Sequence, residues 1–449
     1  MRRVAVLVIA AIGLAVLVSA GPQRTSARSI TWTDVPVPIQ ARLEQSGFTA
    51  STFDTRIAVL AGSARTRVRE GDLEHLVYYV LQSSHFTRLP AIEPSISAKA
   101  LFEARKSRAF DPMPSPAVEA RFSAFLKAVD SSDRDARVVY FRALLADAVP
   151  GRDRRAPLRA EYVRVMTFVY GKEFTSRGRP EATAGLYRTR GLSTDTAVEA
   201  GYSVHVGLGV LKALEPSRRV RRVLIVGPGI DLAPRTGMLE VGPPQSYQPW
   251  AVIDALISLG LSTVDDLDLV GADINPRVVD HLRVSRQAPP LLRLVSGLGE
   301  SGAVAFSQDF RDYFGSLGRS VGSIRPGAKA PVGHLAKTVT VSRKAAALLR
   351  AEPLNIVTER LDQAPFDLVI ATNILPYFGD VELMLALANI SAMLSPGGML
   401  LHNELRPSLP DDAAAVGLPV EQSRQVIVAT VKGAPPLVDT VWLHRKADK

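Results

Sequence analysis

Over the second half of the chain, short apolar runs that end in glycine or an acid alternate with amphipathic stretches. Val223 to Val226 stops at Gly227-Pro228-Gly229, and Leu267 to Val270 runs on to Asp273. Runs of this length bounded by turn residues predict buried strands, and the amphipathic stretches between them predict helices. Tyr247 to Leu259 reads as a helix with Pro249 in its first turn, and Pro276 opens the next. Further on, Ser342 to Leu349 and Glu382 to Met393 read as helices. Leu354 to Thr358, Phe366 to Ala371 and Met399 to His402 read as strands. Gln425 to Val431 and Leu437 to Leu443 flank a five-residue connection containing Gly433, which predicts an antiparallel hairpin. Residues 290–340 read as irregular, with short strands at Val304 to Phe306 and Thr338 to Val341.

The first half has a different period. Leu73 to Leu81, Val118 to Val129, Ala136 to Ala148 and Leu158 to Tyr170 carry helical apolar faces. The expected organisation is a helical domain at 41–210 after a polar linker at 21–40, then an α/β domain at 215–446. The α/β part is expected to be a mostly parallel sheet closed by the hairpin at its edge.

Two glycines at a strand exit let backbone approach a ligand without a Cβ in the way. An acid at the end of the next strand can accept hydrogen bonds from ribose hydroxyls. Together they suit a nucleoside-containing cofactor at the carboxyl ends of parallel strands. Asp273 also suits a capping role beside Asn275 and Pro276.

Composition narrows the chemistry. The chain has 449 residues and no cysteine, which excludes disulfides and thiolate chemistry. The seven histidines are dispersed without metal-ligand spacing, so no metal is expected. The net charge of +10 is spread along the chain, and the basic cluster Arg218, Arg219, Arg221 and Arg222 has no aromatic ladder beside it. A nucleic-acid partner is therefore not expected. Ser83 and His85 belong to no Gly-x-Ser-x-Gly elbow, so no hydrolase is read from them.

Arg2 and Arg3 precede an apolar stretch from Val4 to Ala20, the pattern of a signal peptide or membrane anchor over residues 1–20. The expectation is a membrane partner through this segment, with the protein exported or anchored facing outward. The alternative is association with the inner membrane facing the cytoplasm.

Over residues 215–446 the segments resemble the class I S-adenosylmethionine-dependent methyltransferases. Val223 to Gly229 resembles that family's glycine-rich first motif, and Asp273 stands where the family holds the ribose. Phe366 to Ile370 and Leu394 to Leu400, with Pro396-Gly397-Gly398, resemble the surroundings of its fourth and fifth strands. The resemblance implies a Rossmann-like methyltransferase sheet, S-adenosylmethionine as cofactor, and methyl transfer to a small-molecule, lipid or protein acceptor. It assigns cofactor contacts to Gly227, Gly229, Asp231, Asp273 and Asn373, with Glu359 and Asp309 as rivals near adenine. Tyr247, Gln248 and Trp250 are candidates for the acceptor pocket. Ile225 departs from the family's usual first-motif acid, and Asp231 replaces its third glycine. No residue stands out as catalytic, and the alternative reading is an exported non-catalytic binding or scaffold protein on the same fold.

Overall fold

The structure is a computed structural model that describes residues 27–105, 115–151, 153–176, 178–232, 240–327, 330–363 and 365–448. Its strands are β1 Ala27–Ser29, β2 Arg222–Val226, β3 Asp268–Asp273, β4 Leu291–Val295, β5 Val304–Phe306, β6 Gly322–Pro326 and β7 Ala336–Val341. They continue as β8 Leu349–Pro353, β9 Glu359–Leu361, β10 Phe366–Ala371, β11 Leu394–His402, β12 Val420–Val431 and β13 Ala434–Arg445. The helices before β2 are α1 Val37–Gln45, α2 Phe53–Gln82, α3 Pro94–Ala104, α4 Pro116–Val129, α5 Ala136–Ala148, α6 Arg155–Tyr170, α7 Pro180–Thr189 and α8 Val198–Leu214. Those after it are α9 Gln248–Ser258, α10 Pro276–Gln287, α11 Gln308–Ser316, α12 Arg343–Ala346, α13 Asp380–Met393 and α14 Leu409–Ala415.

Eight strands form the main sheet in the order β5-β12-β13-β11-β10-β2-β3-β8. From β8 to β11 neighbours run parallel, and β13 enters antiparallel to β11. Strands buried on both faces need no polar side, so alternate residues feed two cores. Val223, Ile225, Leu269, Leu368 and Ile370 face one, while Leu224, Val226, Val270 and Val369 face the other. The first core is continuous with the helices α2 and α4 to α6, which contribute Leu76, Val80, Phe125, Phe141 and Val165. The helical segment and the sheet therefore share buried apolar surface.

Local signals explain several element boundaries. The Asn275 side chain accepts the Arg277 N–H at 3.0 Å and Pro276 opens α10. Asp135 caps α5 in the same way, accepting the Arg137 N–H at 2.9 Å.

Two expectations need changing here. The third parallel strand is β8, Leu349–Pro353, and Leu354 to Thr358 forms no strand. Instead Asn355 organises a turn by accepting the Val357 N–H, and the short β9 pairs with β1. Residues 290–340 also contain an antiparallel sheet, β4-β7-β6, that the glycine content concealed.

The expectations of a signal, a membrane partner and an exported or membrane-anchored location are also corrected. Among the described residues, no helix is long and apolar enough to cross a membrane. A span needs about 20 predominantly apolar residues. The longest helix, α2, is interrupted by Arg65, Arg67, Arg69, Glu70, Asp72 and Glu74. The apolar stretch 4–20 on which those expectations rested lies outside the described residues.

Candidate functional site

A cavity of about 1150 Å³ opens at the carboxyl ends of β2 and β10. Gly227, Asp231, Thr372 and Asn373 line its sheet side. Phe168, Val169, Lys172 and Tyr187 line it from the helical segment. Arg293, Leu298 and His334 line it from the segment that contains β4 and β7.

The first loop is built by its glycines. Gly227 has φ 68 and Gly229 has φ 69, both left-handed. A Cβ on Gly229 would lie 2.0 Å from the Thr194 carbonyl oxygen. The close approach at this glycine is thus filled by the chain's own residues 193–196, which strap the loop. The Ile230 N–H donates to the Thr194 carbonyl at 3.0 Å, and Thr194 Oγ1 donates to the Ile230 carbonyl at 2.9 Å. Further along, the Thr196 N–H donates to Asp231 Oδ1 and the Leu232 N–H to Asp195 Oδ1, both at 2.8 Å.

Asp231 and Asp195 both line the cavity. Burial, and then the neighbouring Asp195 charge, push the Asp231 carboxyl well above the usual carboxylate range. Asp195 and Asp231 share this stretch of the wall, and a cation bound between them would relieve their mutual repulsion.

Asp273 is placed differently. Its carboxylate is 5 % exposed and accepts the Gly229 N–H at 3.3 Å and the Asn275 N–H at 2.8 Å. Burial pushes its pKa up to about 7, against the pull of those N–H groups. Helix α2 covers this region. Asp72 accepts from Asn275 Nδ2 at 2.9 Å and pairs with Arg277 at 3.4 Å. Five residues earlier on α2, Arg67 donates to the Tyr377 carbonyl at 2.8 Å, so the helix runs across the sheet edge from β10 to β3.

Asn373 is the one non-glycine residue with positive φ among the described residues, at φ 61. Asn403 holds it there, accepting the Asn373 N–H and donating to its side-chain oxygen, each at 2.9 Å. Strain of this kind at a strand exit on a cavity wall accompanies ligand sites.

The pocket candidates lie behind the wall. Tyr247 is buried and donates to the Ala197 carbonyl at 2.6 Å. Gln248 is buried and donates to Thr372 Oγ1 at 2.7 Å, which orients a cavity residue. Trp250 is 2 % exposed and belongs to the core.

Glu359 accepts the Asn355 N–H at 2.8 Å on β9 and does not line the cavity. Asp309 sits in the first turn of α11, just after β5. Six strand spacings separate β5 from β3, roughly 29 Å at about 4.8 Å each. The structure therefore brings Gly227, Asp231 and Asn373 together, sets Gly229 and Asp273 beneath the strap and α2, and leaves Asp309 and Glu359 apart. Residues 193–196 were missed in the sequence, where nothing marks a polar loop that will fold back onto a glycine turn.

The strand order, with parallel β8-β3-β2-β10-β11 and antiparallel β13 inserted before β12, defines a class I S-adenosylmethionine-dependent methyltransferase fold in the C-terminal part of the chain. Among solved structures, the chain is similar to TrmN from Thermus thermophilus, with 13% identity over 55% of this chain and 51% of that one, TM-score 0.28. It is also similar to the N-methyltransferase NodS from Bradyrhizobium japonicum WM9 in complex with S-adenosyl-l-homocysteine, with 13% identity over 55% and 87% of the two chains, TM-score 0.29. A third is the CcbJ methyltransferase from Streptomyces caelestis, with 12% identity over 62% and 98%, TM-score 0.30. The matched region spans about half the length of TrmN. No protein-family model matches the sequence, and no curated protein matches it.

Proposed function

We propose that this protein binds S-adenosylmethionine at the carboxyl edge of the sheet and transfers its methyl group to an acceptor held in the cavity. The observation that carries this reading is the convergence of Gly227, Asp231 and Asn373 on one cavity at the exits of β2 and β10. The methionine end of the cofactor suits that wall, because Asp231 and Asp195 favour its ammonium and sulfonium charges. The ribose end does not fit at Asp273, which is 5 % exposed and has both carboxylate oxygens bonded to main-chain N–H groups.

When bound, S-adenosylmethionine supplies a methyl group on a cationic sulfur for transfer to an electron-rich atom. The chain's own part is to position and to exclude water. Gln248 fixes Thr372, and Asn403 fixes Asn373, so the β10 exit presents a rigid wall. The helical segment and the β4–β7 segment enclose the acceptor.

One observation favours a second reading, a non-catalytic binding protein on this fold: both Asp273 oxygens are already taken by main-chain N–H groups. Isothermal titration of the full-length protein with S-adenosylmethionine and S-adenosylhomocysteine separates the two. The methyltransferase reading expects saturable binding of both, weakened in Asp231→Asn through loss of a carboxyl group from the cavity wall. Absence of binding to the folded protein would reject it in favour of the second reading.

A further inference from the structure

We infer that His334 is the general base of the cavity and that the methyl acceptor is a phenol, whose hydroxyl proton passes to His334 Nε2. The inference deepens the methyl-transfer reading and rests on it.

The tautomer of His334 is set by the backbone. His334 Nδ1 lies 2.7 Å from the Ser296 carbonyl, which can only accept, so Nδ1 carries the proton of the neutral ring. Nε2 then keeps its lone pair, and no donor among the described residues takes it. Ser296 is itself held fast. It is buried, its N–H donates to the Leu335 carbonyl at 2.9 Å, and its Oγ accepts the Leu335 N–H at 3.0 Å. The same Oγ donates to the Leu298 carbonyl at 2.7 Å. A Cβ on Gly299 would lie 2.7 Å from His334 Nε2, so glycine keeps the space beside that nitrogen clear. His334 is half-buried and lines the cavity together with Gly299. Among the described residues that line the cavity, it is the one imidazole.

Gln245 ties this segment to the Asp231 wall. The Asp231 N–H donates to the Gln245 carbonyl at 2.8 Å. The Gln245 side chain accepts the Arg293 N–H at 2.9 Å and donates to the Arg293 carbonyl at 2.8 Å, on the strand that leads into Ser296.

The helical side of the cavity is aromatic. Tyr187 meets Phe168 and Tyr377 edge to face, each with ring centroids 5.7 Å apart, and all three line the cavity. Such a wall suits a further ring. A neutral amine attacks a methyl group without a base, whereas a hydroxyl needs one. Base and rings together point to a phenol.

The phenol gives its proton to His334 Nε2 as its oxygen gives an electron pair to the methyl carbon. The carbon–sulfur bond breaks and its electron pair stays on sulfur, which becomes a neutral thioether. The aryl methyl ether leaves, and His334 returns the proton to water.

The test uses the full-length protein and umbelliferone, a phenol whose excitation spectrum separates its neutral and anionic forms. With no methyl donor, the bound probe is expected to show a larger anion band than the free probe at neutral pH. His334→Gln, which can still donate to the Ser296 carbonyl, is expected to bind the probe and lose that gain. Gly299→Ala sets a methyl group beside Nε2, is expected to lose it too, and keeps the test decisive if His334→Gln does not fold. With S-adenosylmethionine, the parent is expected to form the methyl ether, read by mass spectrometry. His334→Gln should lower kcat about a hundredfold with KM little changed. An equal anion band or equal kcat in parent and His334→Gln, or no binding of the probe to folded protein, would overturn the inference. Calorimetric binding of S-adenosylmethionine is expected to be equal in parent and variants. Its absence from the parent would reject the methyl-transfer reading itself, whereas its presence with an unchanged anion band would reject only the base.

Discussion

Asp273 Oδ2 accepts the main-chain N–H of Gly229 at 3.3 Å, which joins the acid at the end of β3 to the second glycine of the first loop. The two sequence signals most suggestive of a cofactor are thereby bonded to each other. Helix α2 lies over the acid, and the 193–196 strap lies over the glycine.

The first prediction concerns the charge of Asp273. Its folded pKa, about 7, is raised above its ordinary value of 3.8. A raised pKa favours the folded state fully below about pH 4, and that contribution is lost as pH rises through about 7. Urea unfolding at pH 5 and pH 8 should show the parent losing stability on the order of a few kcal/mol that Asp273→Asn does not lose. Parallel pH profiles for the two proteins would remove Asp273 as the source.

The strap predicts a difference between the two loop glycines. Gly229→Ala sets a Cβ against the Thr194 carbonyl oxygen, which is backbone and cannot yield cheaply. Gly227→Ala meets only the Ile374 Cγ2 methyl, the end of a side chain. Both substitutions strain a left-handed backbone. Thermal unfolding should show Gly229→Ala losing about 2 kcal/mol or more, and Gly227→Ala clearly less. Equal losses would mean that the strap does not press on the loop.

Glu74 is fully buried on α2, and Arg190 Nε donates to it at 2.9 Å from the strap side. Arg190→Met leaves that carboxylate buried without its cation, at a cost of about 3–5 kcal/mol. The double variant Glu74→Gln with Arg190→Met should recover much of the loss. Denaturant unfolding of the two single variants and the double variant measures this coupling. Additive losses would place the energy elsewhere.

His402 and His444 predict an acid limit to stability. The Glu404 N–H donates to His402 Nδ1, so His402 carries its proton on Nε2 and donates it to His444 Nε2 at 2.8 Å. His444 Nδ1 in turn donates to the Leu418 carbonyl at 2.8 Å. Both rings are neutral and buried, and burial lowers both pKa values, well below the ordinary 6.5 for His402. A lowered pKa contributes stability that is present above about 6.5 and lost as pH falls toward the folded values. The Tm of the parent should fall more steeply from pH 7 to pH 5 than that of the variant with Gln at both positions. Equal slopes would count against the pair.

Much of the sheet was legible along the chain. Val223 to Val226 and Phe366 to Ala371 are short apolar runs bounded by turn residues, and both are strands of the parallel sheet. The terminal hairpin was legible for a related reason, since Gly433 marks the connection between two β-rich runs. Leu354 to Thr358 misled, because apolar content at this length does not separate a strand from a buried turn. Local hydrogen bonding by Asn355 decided that segment.

The candidate site divides along the same line. Sequence by itself determined that glycines would make the first strand exit and that an acid would end the second strand, because backbone freedom and strand length are local properties. Only the tertiary structure decided what those groups face. Long-range packing brings α2 and residues 193–196 onto the loop, which places Asp273 under Asp72 and His75 beside Ser193. Residues 118 positions apart become neighbours through that packing, and no local pattern encodes the meeting.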